Sequence, residues 1–316
     1  MHWERYIKDF VSYLKIEKGL ANNSILAYQR DVALLATFFE EEKCKPEQVA
    51  YEQLKTFVAH LYDLGLAARS QARIISGIKH FFKFLILERY IQADPSELLE
   101  QPKLGRKLPE VLEIEEIDAL LAAIDLSSAE GQRNHAMLET LYSCGLRVSE
   151  LIGLRFSDLY FDEGFVRVIG KGNKERLVPV SEQVIFEITN YTRQSRLEVP
   201  IKAGQEHFIF LNRRGHQLTR VMIFTIIKQL AQKMGLNKQI SPHTFRHSCA
   251  THLVEGGANL RAVQEMLGHE SITTTEIYTH LDQRFLRKAI LNHHPRNQVK
   301  WVRLLKKAAI LWIMDL

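Results

Sequence analysis

The strongest constraint on the fold is the spacing of apolar residues, which is helical along most of the chain and strand-like in one place. In the first hundred residues, apolar side chains recur three and four positions apart in four stretches separated by turn signals such as Gly19 and Gly65. The exception is GFVRVIGKGNKERLVPV at 164–180, where two runs rich in β-branched residues flank Gly172-Asn173, a pair suited to a tight turn. HFIFL at 207–211 could add a third strand. The sequence therefore predicts a mainly α fold with a small antiparallel sheet.

A break between two halves is indicated by prolines at positions 95, 102 and 109. The segment ADPSELLEQPKLGRKLPEVL, which contains them, is typical of an extended linker. With 316 residues, the chain is also long enough for two domains. We predict an N-terminal helical domain at 1–100, a linker at 101–110, a mixed α/β domain at 111–296 and a tail at 297–316.

Composition places the chain among globular proteins with a modest basic excess. It is 46% hydrophobic and 25% charged, which excludes disordered and fibrous classes, and its net charge of +5 suits a polyanionic partner without requiring one. Cys44, Cys144 and Cys249 are few, odd in number and far apart, which argues against a disulfide framework and for a reducing compartment. Because MHWERYIKDF lacks a signal sequence and no run approaches the ~20 apolar residues of a membrane span, we expect a cytoplasmic protein with no stable membrane insertion.

The fourth helical stretch, at 67–90, carries a one-sided basic stripe. Its apolar residues occupy the opposite side of the helix. An ordinary solvated face is one interpretation, but a stripe of one sign with no interleaved acid is also what a helix lying against phosphates needs. The candidate DNA-binding residues of this stripe are Arg69, Arg73, Lys79 and Lys83.

HTFRH at 243–247 places histidines and an arginine at a helix start. Ser241-Pro242 is a strong start signal, and His243 and Arg246 then share one face near backbone N–H groups that attract an anion. A metal site is an alternative because His243 and His247 form an H-x₃-H pair, but the Arg246 cation between them opposes metal binding. A capped core helix with hydrogen-bonded histidines is the second alternative.

Other residues extend the same chemistry. Arg147 and Glu150 stand at a predicted helix start, Lys171 lies at the hairpin tip, and Tyr278 follows His269 by nine residues. Two arginines, a lysine, two histidines and a tyrosine have a joint chemical logic as a set, and that logic matters more than any single member.

These stretches together resemble the tyrosine recombinase (phage integrase) family, and within it the bacterial Xer group. The matching segments are GLRVSELIGLRFSDL, VIGKGNKERLVPV, SPHTFRHSCATHLVEGGANLRAVQEMLGHESITTTEIYTH, HHPR and, in the first half, GLANNSILAYQRDV, so the resemblance covers residues 1–296. It implies a set of catalytic residues comprising Arg147, Lys171, His243, Arg246, His269 and the nucleophile Tyr278, with Glu150 supporting the first arginine. A non-catalytic DNA-binding relative is disfavoured, since every one of these positions is filled.

The resemblance also implies a mechanism without metal or cofactor. A tyrosine oxygen attacks the DNA phosphorus and preserves the bond energy as a 3′-phosphotyrosine. The two arginines, with His269, bind the non-bridging oxygens. His243 is our candidate base and Lys171 our candidate acid, while His247 is expected to have no chemical role.

The implied architecture is a C-shaped DNA clamp, formed by a SAM-like N-terminal domain that binds the core DNA site and the catalytic domain. Its partners would be a dif-like site in double-stranded DNA, a second Xer recombinase in a homo- or hetero-tetramer, and an FtsK-type translocase. The segment Asp282–Asn292 would dock on the neighbouring protomer. Chromosome dimer resolution is the expected role. The alternative is the integrase of a mobile element, whose usual arm-binding extension we do not find before the helical domain.

The tail NQVKWVRLLKKAAILWIMDL departs from the family pattern, which usually stops soon after HHPR. Its apolar residues recur at helical spacing among basic ones. It could be a helix that docks on a partner or on a membrane surface, but we expect a poorly ordered end.

Overall fold

The computed structural model describes residues 2–40, 43–105, 110–268, 286–288 and 290–297. The chain divides into two compact units, Met1–Lys107 and Leu108–Leu316. Each unit has its own buried apolar cluster. No helix in the described ranges is both long enough and apolar enough to cross a bilayer.

The N-terminal unit is a group of four helices around an aromatic core. Its elements are α1 (His2–Ile16), α2 (Asn22–Phe38), α3 (Tyr51–Asp63) and α4 (Ala68–Leu87). The largest fully buried side chains of this unit are phenylalanines, and ring stacking and edge contacts join α1, α4 and the end of α2. A Cβ at Gly77 of α4 would lie 2.6 Å from Oδ2 of Asp31 on α2, so this glycine permits the close approach of the two helices.

The C-terminal unit is also mainly helical. Its helices are α5 (Ile114–Ala122), α6 (Ala129–Ser143), α7 (Val148–Gly153), α8 (Glu182–Arg193), α9 (Arg220–Lys233), α10 (Pro242–Glu255) and α11 (Leu260–Leu267). The apolar core contains residues from all seven of these helices and from β2 and β3 of the small sheet.

The sheet is antiparallel with strand order β1-β2-β3, formed by β1 (Leu159–Tyr160), β2 (Phe165–Ile169) and β3 (Glu175–Pro179). In the β2–β3 pair, Val166 lies opposite Val178. The turn between these strands contains Gly172 at φ 71° and Asn173 at φ 60°, the positive values that the Gly-Asn pair predicted. The predicted mainly α fold with a small antiparallel sheet is confirmed.

The predicted third strand at 207–211 is wrong. The third strand is β1, and 207–211 makes only isolated bridges. Main-chain carbonyls in and next to this segment accept hydrogen bonds from arginine side chains instead of from a neighbouring strand. The guanidinium of Arg196 donates to the carbonyls of Glu206, Phe208 and Ile209, and Arg133 donates to that of Leu211. Side-chain donors therefore take the hydrogen bonds that a ladder would need.

Candidate active site

The start of α10 is fixed by a reciprocal cap. The Ser241 side chain accepts from the Thr244 backbone N–H at 3.3 Å, and the Thr244 hydroxyl accepts from the Ser241 backbone N–H at 3.1 Å. Pro242 occupies the first turn. Within this helix His243 is exposed, whereas Arg246 is buried at 8% exposure.

Arg246 reaches from α10 to two other segments. Its Nη1 donates to the carbonyl of Gly145 at 2.6 Å, and its Nη2 donates to that of Leu267, at the end of α11. Burial lowers the pKa of Arg246 to about 10, and the nearby charge of Arg147 acts in the same direction. The guanidinium is still positive at neutral pH, but it is held where water solvates it poorly.

Glu150 is the carboxylate at the centre of the site, and its side chain is only 1% exposed. It accepts from the backbone N–H and Nη1 of Arg147, both at 2.8 Å, and from Nη1 and Nη2 of Arg176, both at 2.9 Å. Nη1 of Arg246 lies 4.0 Å away. We call Arg147, Arg176, Arg246 and Glu150 the arginine cluster.

The charge state of Glu150 follows from these contacts. Burial raises its pKa, but the hydrogen bonds and charge of Arg176, with the donors of Arg147, bring the pKa below its ordinary value. Glu150 is therefore ionised at neutral pH, and one buried carboxylate is shared by three guanidinium groups.

The same guanidinium groups hold the end of α11. Three consecutive main-chain carbonyls there each accept a hydrogen bond from a different arginine of the cluster. The pairs are Arg176 with Met266 at 2.8 Å, Arg246 with Leu267, and Arg147 with Gly268 at 2.8 Å. The cluster thus joins α7, β3, α10 and α11 at one point.

The arrangement is suited to a bound phosphate. Three positive groups face one negative group, so the cluster has an excess of positive charge close to the start of α10. In the bonds described above, the side chains of Arg147 and Arg246 each use two of their five N–H donors, which leaves donors for phosphate oxygens. Among the described residues, no three His, Cys, Asp or Glu side chains lie together as a metal site would require.

The structure describes some of the other predicted catalytic residues and not others. Lys171 begins the turn between β2 and β3, at the hairpin tip. His243 and His247 are both exposed on α10. His269 and Tyr278 lie outside the described residues.

The basic stripe lies on α4, and two of its members have intramolecular partners. Arg69 and Lys83 are exposed. Arg73 donates from Nη1 to Oδ2 of the buried Asp31 at 2.6 Å, although its side chain remains 52% exposed. Nζ of the half-buried Lys79 donates to the Glu97 carbonyl at 3.1 Å.

Sequence reasoning missed Arg176. A signal was present, because side chains alternate along a strand and Arg176 shares a face with Val178 and Val180, both buried. A cation at an inward strand position indicates a buried acid. The pattern does not say which acid, and the sequence interval to Glu150 gives no clue.

The C-terminal segment packs on its own unit where the structure describes it. Leu286 and Ile290, both within the predicted docking segment Asp282–Asn292, are buried in the core of the C-terminal unit. Beyond them, Arg296 is buried, with Nε donating to Glu139 at 3.0 Å and Nη1 to Asp118 at 2.5 Å. Leu286 and Ile290 are thus covered by their own unit, whereas Arg287, Lys288 and Asn292 of the same segment are exposed, and docking on a neighbour stays a prediction.

Comparison with known proteins gives two family matches and close relatives. The profile described as Phage integrase family matches residues 110–284, and the one described as Phage integrase, N-terminal SAM-like domain matches residues 7–89. Tyrosine recombinase XerD of Staphylococcus epidermidis is 45% identical over 291 residues, covering 92% of this chain and 98% of the relative. XerD of Chlorobaculum tepidum is 45% identical over 297 residues, covering 93% and 97%.

Solved structures share the fold. XerH bound to its difH substrate matches with a TM-score of 0.68 at 20% identity, covering 97% of this chain and 95% of that one. The Tn1549 transposon integrase in complex with transposon right end DNA matches with a TM-score of 0.70 at 20% identity, covering 89% and 97%.

Proposed function

This chain belongs to the phage integrase family of tyrosine recombinases, and from that premise we propose that the arginine cluster is the pocket for the scissile phosphate of its DNA site. The chain is a site-specific recombinase that cuts and rejoins DNA strands. One observation carries the assignment of the pocket. Arg147 and Arg246, which the family resemblance singles out, share the buried carboxylate of Glu150 and the end of α11.

The reaction begins with attack of the Tyr278 oxygen on the phosphorus. His243 accepts the phenol proton, a 3′-phosphotyrosine forms, and the bond to the 5′-oxygen breaks as Lys171 protonates the leaving group. In rejoining, a 5′-hydroxyl attacks the phosphotyrosine while Lys171 accepts its proton and His243 returns one to Tyr278. Each step exchanges one phosphoester bond for another, so no external energy source is required.

The pocket stabilises the charge that develops in this reaction. Arg147 and Arg246 donate to the non-bridging oxygens, and His269 adds a donor. Because the guanidinium groups are fixed before DNA arrives, they need no reorganisation in the transition state. The reaction needs no metal ion or cofactor.

The N-terminal unit contributes duplex binding through α4. Arg69, Arg73, Lys79 and Lys83 contact DNA phosphates, which makes affinity depend steeply on salt. Lys79 and Arg73 can turn to phosphate from their exposed ends, while the bond to Asp31 sets the direction in which Arg73 leaves the helix.

The biological role is Xer-type chromosome dimer resolution on a dif-like site. The XerD relatives at 45% identity over almost their whole length support this role, and the XerH neighbour is bound to a difH substrate. The transposon integrase and XerH both match at 20% identity, so these two structures share the fold without choosing between the roles, and the 45% identity to XerD relatives is what favours the chromosomal role over the mobile-element alternative. We further propose that the protein forms a tetramer, either with copies of itself or with a second Xer recombinase, and that an FtsK-type translocase controls it in the cytoplasm.

We also propose that the domain boundary lies at the 101–110 linker and that the two domains form a C-shaped clamp on the duplex.

Two experiments test the proposal. Recombination between two copies of the site, in chelator and without ATP, should proceed as it does with Mg²⁺; a requirement for metal would contradict the mechanism. Mapping the bound site in the host genome should give one chromosomal locus with two inverted half-sites. Binding at the ends of a mobile element would instead support the alternative role.

A further inference from the structure

Arg176 occupies a position that neither the family assignment nor the proposed reaction uses. It lies on β3, opposite Val168 of β2, and its side chain is only 14% exposed. Each of its three guanidinium nitrogens donates to a protein acceptor. Nη1 and Nη2 reach the two oxygens of Glu150, and Nε reaches the carbonyl of Met266. A guanidinium so occupied is poorly placed to bind DNA itself.

Glu150 depends on this partner. A carboxylate that is 1% exposed is stable as an anion only when its lone pairs are matched by donors. Of the four hydrogen bonds that the described residues donate to Glu150, two come from Arg176, in the paired geometry that makes such contacts strong. The other two come from Arg147, one of them from the guanidinium proposed to bind phosphate.

Arg176 also ties the sheet to α11. The carbonyl of Met266, its third acceptor, immediately precedes those that receive Arg246 and Arg147. Loss of Arg176 would therefore remove support at both points that orient these two arginines, the Glu150 carboxylate and the end of α11.

We propose that Arg176 is a positioning residue for strand cleavage, which holds Glu150 and the end of α11 so that Arg147 and Arg246 face the scissile phosphate in a single arrangement. This inference rests on the proposed phosphate-binding role of those two arginines. Arg176 acts through them and makes no contact with the reacting atoms.

The role predicts a change in pH dependence. Within the described residues, the charged groups facing Glu150 are Arg147 on the α7 side, Arg176 on β3 and Arg246 on α10, while α11 presents main-chain carbonyls. Burial raises the pKa of Glu150, and the hydrogen-bond donors around it lower that pKa. Without the donors of Arg176, the pKa of Glu150 therefore rises. As pH falls, Glu150 then takes up a proton earlier than in the wild type, and Arg147 loses its acceptor.

The test compares Arg176→Gln with Arg167→Gln. Arg167 is a suitable control because it lies on β2, points to the opposite face of the sheet and donates to Asp158, a different buried carboxylate. The measurement is the single-turnover rate of covalent complex formation on a nicked duplex, followed from about pH 5 to about pH 9. Duplex affinity and a thermal melt are measured on the same samples.

We expect Arg176→Gln to slow cleavage by about tenfold or more, since hydrogen bonds to a charged group are lost, and to shift the acid limb of the rate profile to higher pH. Duplex affinity should change by less than about twofold, because phosphate contacts outside the pocket supply most of it. Arg167→Gln should match the wild type in rate and profile. Arg176→Lys keeps the charge but not the paired donors, so it should restore the acid limb more fully than the rate.

Three results would overturn the proposal: an unchanged rate in Arg176→Gln, a slower rate with an unchanged acid limb, or a loss of duplex binding in proportion to cleavage. If Arg176→Gln melts below the assay temperature, the test uses Arg176→Lys alone. A wild-type cleavage rate in Arg176→Lys would then contradict the proposal. Failure of the proposed function is seen separately, as cleavage that survives Arg246→Ala.

Discussion

Arg246 is a cation buried between the carbonyls of Gly145 and Leu267, with a second guanidinium, that of Arg147, close by. Both burial and like charge make its ionised form costly, and both costs fall when an anion binds. A phosphate bound in this pocket would balance the positive charge of Arg246 and Arg147 that the protein alone leaves in excess.

Replacement of Arg246 by Ala should therefore slow strand cleavage by ~10²-fold or more, the usual effect of losing one preorganised donor. His247→Ala is the matched control, because the next residue of α10 is exposed and has no assigned role. Single-turnover cleavage of a nicked duplex measures both. Equal cleavage rates in the two variants would show that Arg246 does not bind the scissile phosphate.

His294 gives a second prediction at this scale, on stability. Burial lowers its pKa to about 3, and the charge of Arg296 contributes. The Arg296 backbone N–H donates to Nδ1 of His294, so the neutral ring carries its proton on Nε2, toward the sulfur of Cys249. Protonation of the folded ring would place a donor against that N–H.

The unfolded chain binds a proton at this histidine below about pH 6.5, whereas the folded chain does so only near pH 3. Stability is therefore lost as pH falls through this interval. His294→Gln should flatten the pH dependence of the melting temperature relative to the wild type, and His216→Gln, at an exposed site, should not. A slope in His294→Gln as steep as in the wild type would show that other groups dominate.

Among the elements, the α2–α4 contact links folding to the DNA binding that we propose for α4. Asp31 is 3% exposed and pairs with Arg73, and Gly77 leaves room for its carboxylate. Burial raises the pKa of Asp31 while Arg73 opposes that rise. The basic stripe is thus anchored at one residue by a buried acid.

The change Gly77→Ala should destabilise the N-terminal unit by about 1–3 kcal/mol, because its Cβ would lie within 2.6 Å of Asp31 Oδ2 and force the helices apart. Duplex affinity should fall with it, as Arg73 loses its direction. Ser76→Ala, one position earlier on α4, serves as control. Denaturant unfolding and a binding titration measure the two effects, and a Gly77→Ala chain as stable as Ser76→Ala would contradict the packing argument.

Local pattern predicted most elements but not their partners. Helical spacing of apolar residues identified α1 to α4, and Gly172-Asn173 identified the β2–β3 turn. The predicted strand at 207–211 was wrong because guanidinium groups outside the segment, those of Arg133 and Arg196, donate hydrogen bonds to its main-chain carbonyls. Arg176 was overlooked for the same reason. A buried ion pair is a property of two segments, and the sequence shows only one of them at a time.

For the whole molecule, the sequence predicted the fold class and a set of catalytic residues, and the structure brings Arg147, Glu150 and Arg246 together. His269 and Tyr278 lie outside the described residues, so their relation to the pocket remains a prediction from the family motif. The central question is therefore whether the complete chain joins itself to DNA through that tyrosine.

Covalent capture on a nicked duplex, read as a denaturant-resistant protein–DNA band, tests this most directly. The wild type and Tyr160→Phe, a change at a partly exposed tyrosine of β1, should both give the band. Tyr278→Phe should give none while binding the duplex with unchanged affinity. A band of wild-type intensity from Tyr278→Phe would contradict the account.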